Sequence, residues 1–264
     1  DLTNGGTYPK SPDSVSANQL VVTANFTTAA ATWSVQVTNP GGAVSNAYTF
    51  TVSAPTATPS ISSVSPNPNA AITPMRHDGA IDLAAWTRLV QWHASLGTSG
   101  LVVGGTTGES TALTDDELDE LTRLAVRHAA GRLRVIAGAG SSSTAATVAR
   151  VARLSQLGID GLLVVTPAYV RPTQEGLYRH FAAAAAASPV PLILYNVPSR
   201  TAVDLLPATV ARLAGLPRIV AIKEAVDSMA RVRELVQAVP RGFAVLSGDD
   251  ATAREAIALG ARGV

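Results

Sequence analysis

Residues 218–228 read RIVAIKEAVDS. After Arg218 the run is apolar without alternation, which is the pattern of a strand whose two faces are both buried. Similar runs recur at GLVV (100–103), LRVIAG (133–138), GLLVV (161–165), PLILY (191–195) and FAVLS (243–247), with a shorter one, AITP, at 71–74. Helical stretches separate them, among them 82–95 and 115–129, the second opened by Thr114-x-x-Glu117, a capping box. Strands of this kind alternating with helices predict a parallel sheet. Seven such units, with ARGV (261–264) starting an eighth strand, predict a (β/α)8 TIM barrel over a doubly wound sheet. On this reading the chain is truncated before strand 8, which leaves two open edges.

The same stretch poses a chemical question. The chain has 20 lysines and arginines, yet only two are lysines, Lys10 and Lys223. Everywhere else in the barrel region the cation is arginine. A lysine at the end of an apolar strand ordinarily solvates a surface. Here its apolar neighbours and the near-absence of lysine elsewhere favour a need for a primary amine, which can condense with a ketone to a Schiff base as arginine cannot. An amine has an ordinary pKa of about 10.4, so burial has to favour the neutral nucleophile. Glu224 alternates to the opposite side of the strand and need not neutralise it.

Residues 1–67 have another composition, with three charged residues and 21 Ser or Thr. In ATWSVQVT (31–38) the positions of Trp33, Val35 and Val37 share a face, and in AYTFTV (47–52) those of Tyr48, Phe50 and Val52 do. NPGG (39–42) lies between them as a turn, so the pair predicts a β-hairpin from an antiparallel sandwich. The expected division is an all-β segment at 1–54, a Pro/Ser/Thr linker at 55–69 and the incomplete barrel at 70–264.

Composition narrows the partners. A hydrophobic fraction of 47% with 15% charged residues is globular, and a net charge of +1 makes nucleic acid an unsuitable partner. There are no cysteines, so neither thiolate chemistry nor Cys-ligated zinc applies. The longest apolar stretch, 181–187, is too short to span a membrane, and no signal peptide is expected. His77, His93, His128 and His180 lie in or beside helical segments without ligand spacing, so no metal site is expected.

In a barrel of this kind, reacting groups gather where strands end and βα loops begin. Five segments deliver polar groups there: GGTTGES (104–110), Tyr169 past GLLVVTP, Tyr195 within YNVPSRT, Lys223, and SGDD (247–250). The glycines, hydroxyls and amides of GGTTGES suit a carboxylate or phosphate near a helix start, although Gly/Thr loops are common. Tyr195 suits proton transfer, against the commoner fate of a packed tyrosine. Arg200 suits bidentate capture of a second carboxylate, although most arginines only solvate surfaces.

Taken together, GTTGES, TPAYVRPTQEGLY, YNVPSRT, IKEA and SGDD resemble the dihydrodipicolinate synthase family of pyruvate-dependent class I aldolases, which includes N-acetylneuraminate lyase. The resemblance covers roughly 71–264. It implies a Schiff base between Lys223 and pyruvate, with no other cofactor. Thr106 and Thr107 would hold the pyruvate carboxylate, with backbone of Gly248 nearby. Thr107, Tyr195 and Tyr169 would relay protons, with Tyr169 entering a neighbouring subunit of a homo-oligomer. Arg200 would bind the carboxylate of aspartate 4-semialdehyde, and the product would be 4-hydroxy-tetrahydrodipicolinate, in cytoplasmic diaminopimelate and lysine biosynthesis.

Where the family usually pairs two tyrosines before the RP motif, this chain has Ala168 and Tyr169. At the positions that line a lysine-feedback site in inhibited members stand Thr111, Asp115, Leu118, Ser142, Ala146 and Ala168, which implies weak or absent feedback. VTNPGG and SNAYTFTV resemble the closing strands of an immunoglobulin-like IPT/TIG module of exported proteins, and PSISSVSPN the start of another. Two alternatives follow: a different acceptor, as in sialic-acid or keto-sugar-acid aldolases, or an inactive chimeric or surface protein.

Overall fold

The computed structural model describes residues 72–264 and, before them, the backbone of four short strands. The chain divides into two compact units, Asp1–Pro59 and Ser60–Val264. In the first, β1 (Ser14–Val15) pairs antiparallel with β2 (Leu20–Val21), and β3 (Ala31–Val35) with β4 (Tyr48–Val52). Trp33 stands opposite Phe50 and Val35 opposite Tyr48, so the apolar positions of the expected hairpin are in register. Val37, the NPGG turn and the linker at 55–69 lie outside the described residues.

The second unit alternates helices and strands. α1 (Leu83–Ser95), β5 (Gly100–Val103), α2 (Asp115–Ala129), β6 (Arg134–Gly138), α3 (Thr144–Leu154) and β7 (Gly161–Val165) come first. α4 (Gln174–Ala186), β8 (Leu192–Asn196), the short α5 (Pro198–Thr201), α6 (Pro207–Leu213) and β9 (Ile219–Glu224) follow, then α7 (Met229–Ala238), β10 (Ala244–Ser247) and α8 (Ala253–Ala258). β5 to β10 form one sheet in chain order, every neighbouring pair parallel. The helices between successive strands, α2 to α7, supply the crossovers that parallel pairs require. Local signals start several helices. At α2, Thr114 and Glu117 cap each other reciprocally, as expected, and Asp115, Asp116 and Glu117 oppose the positive helix end.

Two cores flank the sheet. Leu162, Val164, Leu192 and Leu194 join helix residues such as Trp86, Leu121, Val151 and Phe181 in the larger one. Ile136, Leu163, Ile193, Tyr195, Ala221, Ala244 and Leu246 form a smaller core on the other face, built from strands and their ends. The sheet is thus a curled portion of a (β/α)8 barrel with its helices outside.

Three expectations need correction. AITP is not a strand: residues 72–74 form no ladder, and the backbone enters a local turn instead. Pro74 has no N–H to give a sheet, its carbonyl accepts from Asp82 N (2.8 Å), and Met75 forms an isolated bridge to Ile81. The sheet among the described residues therefore has six strands instead of seven. Strands β8 and β9 also run one residue beyond the expected Tyr195 and Lys223, because Asn196 and Glu224 continue the pairing. ARGV is not a regular strand either, but it runs beside β10: Arg262 N donates to Val245 O, and Ser247 N to Gly263 O, both at 2.8 Å.

Candidate active site

Parallel strands put all their C-terminal ends on one rim, and the segments expected to carry chemistry follow those ends. Lys223 is opposite Tyr195 on one side and Leu246 on the other. A bulge sets this phase. Leu192 pairs with Ile219, but Ile193 pairs with Ala221, so Val220 has no opposite residue. A one-residue shift exchanges the faces of everything downstream. With the bulge, Lys223 shares the inner face with Tyr195, and Glu224 shares the outer face with Asn196.

The Lys223 Nζ lies 5.0 Å from the centroid of the Tyr195 ring, and Tyr195 is 6% exposed. Burial holds the Lys223 amine below its ordinary value of 10.5, while the charge of Asp250 pulls partly the other way. Among the described residues neither Lys223 nor Arg200 takes part in an ion pair. Burial, which outweighs the opposing charge of Asp250, favours the neutral nucleophile.

Thr106 and Thr107 occupy a single 3-10 turn after β5, with Gly105 extended before it and Glu109 left-handed after it. The turn is fixed from two sides. Thr73 Oγ1 donates to Gly108 O (2.8 Å), and Gly138 on β6 packs so closely that an added Cβ would lie 2.0 Å from Gly104 O. Only a glycine fits there.

Past β7, Thr166 N donates to Tyr195 O (2.9 Å), and Thr166 Oγ1 to Thr201 Oγ1 in α5 (3.1 Å). Tyr169 N donates to Thr201 O (3.2 Å), but the Tyr169 side chain is 92% exposed on a left-handed backbone, φ 73°. Arg200 is an exposed residue of α5. Gly248 donates its N–H to Glu224 O (2.6 Å), and a Cβ there would lie 2.7 Å from Ala225 Cβ. Ser247 and Asp249 fold the SGDD loop by mutual hydrogen bonds, and Asp249 Oδ2 accepts from Thr252 N before α8.

The structure therefore joins Lys223, Tyr195 and Gly248 through adjacent strand ends. Among the described residues no hydrogen bond links Thr107, Tyr195 and Tyr169 to one another. Sequence reading did not name a polar cluster on the outer face. Asn196 Nδ2 donates to Glu224 Oε1 (3.0 Å), Glu224 Oε2 (3.1 Å) and Asp204 Oδ1 (2.8 Å), and Arg231 donates to Asp204 from two nitrogens (2.9 and 2.7 Å). The opposite-face placement of Glu224 was the one available signal for it. Three histidines have polar neighbours of their own: His93 beside Thr98, His128 beside Gln91 and His180 beside Thr144.

Comparison with known proteins gives the same assignment for residues 67–264, which match the family described as the Dihydrodipicolinate synthetase family. A protein of Methylococcus capsulatus named 4-hydroxy-tetrahydrodipicolinate synthase is 51% identical over 192 residues, covering 73% of this chain and 66% of that protein. The chain thus spans about two thirds of the length of such a relative. Among solved structures, a chloride-inhibited dihydrodipicolinate synthase of Acinetobacter baumannii complexed with pyruvate is 45% identical with a TM-score of 0.72, covering 74% of this chain and 67% of that one. The enzyme of Cyanidioschyzon merolae with lysine bound is 40% identical, also with a TM-score of 0.72 and coverage of 74% and 67%.

Proposed function

We propose, from the premise that this chain belongs to the dihydrodipicolinate synthetase family, that its barrel unit condenses pyruvate with aspartate 4-semialdehyde through a Schiff base on Lys223. The single observation that carries this reading is the partly buried amine of Lys223 beside the Tyr195 ring, 5.0 Å from its centroid.

In this mechanism the neutral Nζ attacks the carbonyl carbon of pyruvate. A C–N bond forms, the carbonyl oxygen leaves as water, and the product is an iminium. Loss of a methyl proton gives the enamine, whose carbon attacks the aldehyde of the second substrate, while the aldehyde oxygen gains a proton. The amino group of that substrate then displaces Nζ from the imine carbon, which closes the ring and frees Lys223. The product is 4-hydroxy-tetrahydrodipicolinate, on the diaminopimelate route to lysine.

Tyr195 carries the proton transfers with Thr107 and with Tyr169. The exposure of Tyr169 suits insertion into a neighbouring subunit of a homo-oligomer. Thr106 and Thr107 receive the pyruvate carboxylate with amides of their turn, Gly248 supplies backbone beside it, and the exposed guanidinium of Arg200 receives the carboxylate of the aldehyde substrate. The chemistry requires no metal or other cofactor, because the iminium is itself the electron sink.

We place this unit from about residue 70, after the hairpin segment at 1–54 and the linker at 55–69, and its working compartment in the cytoplasm. No helix among the described residues is long and apolar enough to cross a membrane. Turnover of pyruvate with aspartate 4-semialdehyde, compared with sugar acceptors, tests the reading. Product from the semialdehyde alone supports it, and product only from sugars reassigns the acceptor.

A further inference from the structure

The outer-face cluster behind Lys223 is unusually well determined for a group of charges with no part in the chemistry above. Asn196 is fully buried and Glu224 is 2% exposed. Asn196 and Glu224 stand opposite each other, one residue beyond the Tyr195–Lys223 pair. The Asn196 amide is used at both ends. Its Nδ2 bridges Glu224 and Asp204, and its Oδ1 accepts from Leu205 N (2.9 Å), so it cannot turn over without losing bonds. Glu224 also accepts from Val226 N (3.0 Å), and Arg231 reaches its Oε2 at 3.4 Å. Backbone bonds reinforce the same two residues: Ala225 N donates to Asn196 O (2.9 Å) and Gly248 N to Glu224 O.

Four pieces of chain meet here: the end of β8, the end of β9, the segment after α5, and the first turn of α7. Hydrophobic residues would fill the space without the desolvation that burial imposes on a carboxylate, and that burial pushes the Glu224 carboxyl above its ordinary value of 4.5. What the polar cluster adds is registration. An apolar contact tolerates sliding, whereas a bridged amide with both ends engaged fixes one relative placement of β8 and β9. The residues so registered are the next ones along, Tyr195 and Lys223.

We propose that Asn196, Glu224, Asp204 and Arg231 form a positioning network that sets the Tyr195 phenol against the Lys223 amine from behind the sheet. The inference rests on the Schiff-base reading. None of the four residues is assigned contact with substrate, so the network acts only through the Tyr195–Lys223 pair.

The test is solvent deuterium uptake into the methyl group of pyruvate, followed by proton NMR, which reports enamine formation. The full chain is compared with Glu224→Gln, Asn196→Ala, Tyr195→Phe and Glu224→Gln in the Tyr195→Phe background. In Glu224→Gln one acceptor facing Asn196 becomes a donor, which the amide cannot accommodate by flipping. The expected result is a fall in the maximal exchange rate of about ten- to a hundredfold, the cost of misplacing a reacting group. The pyruvate concentration at half-maximal rate should change by less than about twofold, since no substrate contact is removed. In the Tyr195→Phe background the same substitution should have little further effect.

Should Asn196→Ala fail to fold, Glu224→Gln, which preserves shape, carries the comparison alone. Additive losses, or an unchanged maximal rate per folded molecule alongside a lowered Tm, overturn the positioning role and leave the Schiff-base reading intact. Absence of exchange in the unsubstituted chain overturns both.

Discussion

Lys223 and Tyr195 are direct cross-strand partners on β9 and β8, with the amine 5.0 Å from the ring centroid, and this pairing exists because Val220 is bulged out of the register. Without that bulge the amine would point toward the helices. The chemistry proposed for this chain depends on one irregular residue three positions before the lysine.

Burial disfavours the charged form of the Lys223 amine, and that is a cost to folding. Lys223→Met removes an amine that burial disfavours and keeps the apolar stem. The variant should lose all turnover and unfold at an equal or higher Tm. A substantially lower Tm would mean that the amine stabilises the fold.

Tyr195→Phe keeps the ring that packs in the inner core and removes only the hydroxyl. Turnover should fall by about 10²- to 10⁴-fold, the range for loss of a general acid–base group. Circular dichroism and Tm should stay close to those of the parent. Steady-state kinetics beside a melting curve checks both.

Gly248→Ala brings a methyl to within 2.7 Å of Ala225 Cβ and 3.1 Å of its Cα, at the strand end that holds Lys223. The backbone has to move, at a cost of about 1–3 kcal/mol. Denaturant unfolding should show that loss. An unchanged midpoint would show that the SGDD loop yields freely.

His93 and His180 are buried, and burial lowers both below their ordinary value of 6.5. Below 6.5 the unfolded chain takes up protons that the folded chain resists. Their contribution is therefore complete above 6.5 and is lost as pH falls through the lower folded values. Stability by urea titration should decline as pH falls below 6.5, and His180→Gln should reduce that decline.

Free lysine should inhibit weakly or not at all. Asp115 is already paired with Arg150 (3.0 Å) and Arg153 (2.8 Å), Leu118 lies in the main core, and Ser142 Oγ donates to Ala168 O (2.8 Å). An inhibition titration checks this, and a low-micromolar inhibition constant would refute it.

Much of this was legible in the sequence for a physical reason. Strands buried on both faces leave uninterrupted apolar runs, and six of them became β5 to β10. AITP had the same appearance, but Pro74 and Thr73 send their groups to a turn and to the 104–110 loop. Lys223 stood out because the chain otherwise uses arginine. The bulge at Val220 left no mark, since register belongs to two strands at once. The Asn196–Glu224 bridge was hidden likewise, because its members come from β8 and β9 and meet only after the bulge sets their phase.

Incubation of the chain with pyruvate and borohydride, with the adduct mapped by peptide mass spectrometry, reads the Lys223 Schiff base itself. The expected result is a single reduced pyruvyl adduct on Lys223, lost in Lys223→Arg. An adduct on another residue, or none under conditions where the chain is folded, would contradict it.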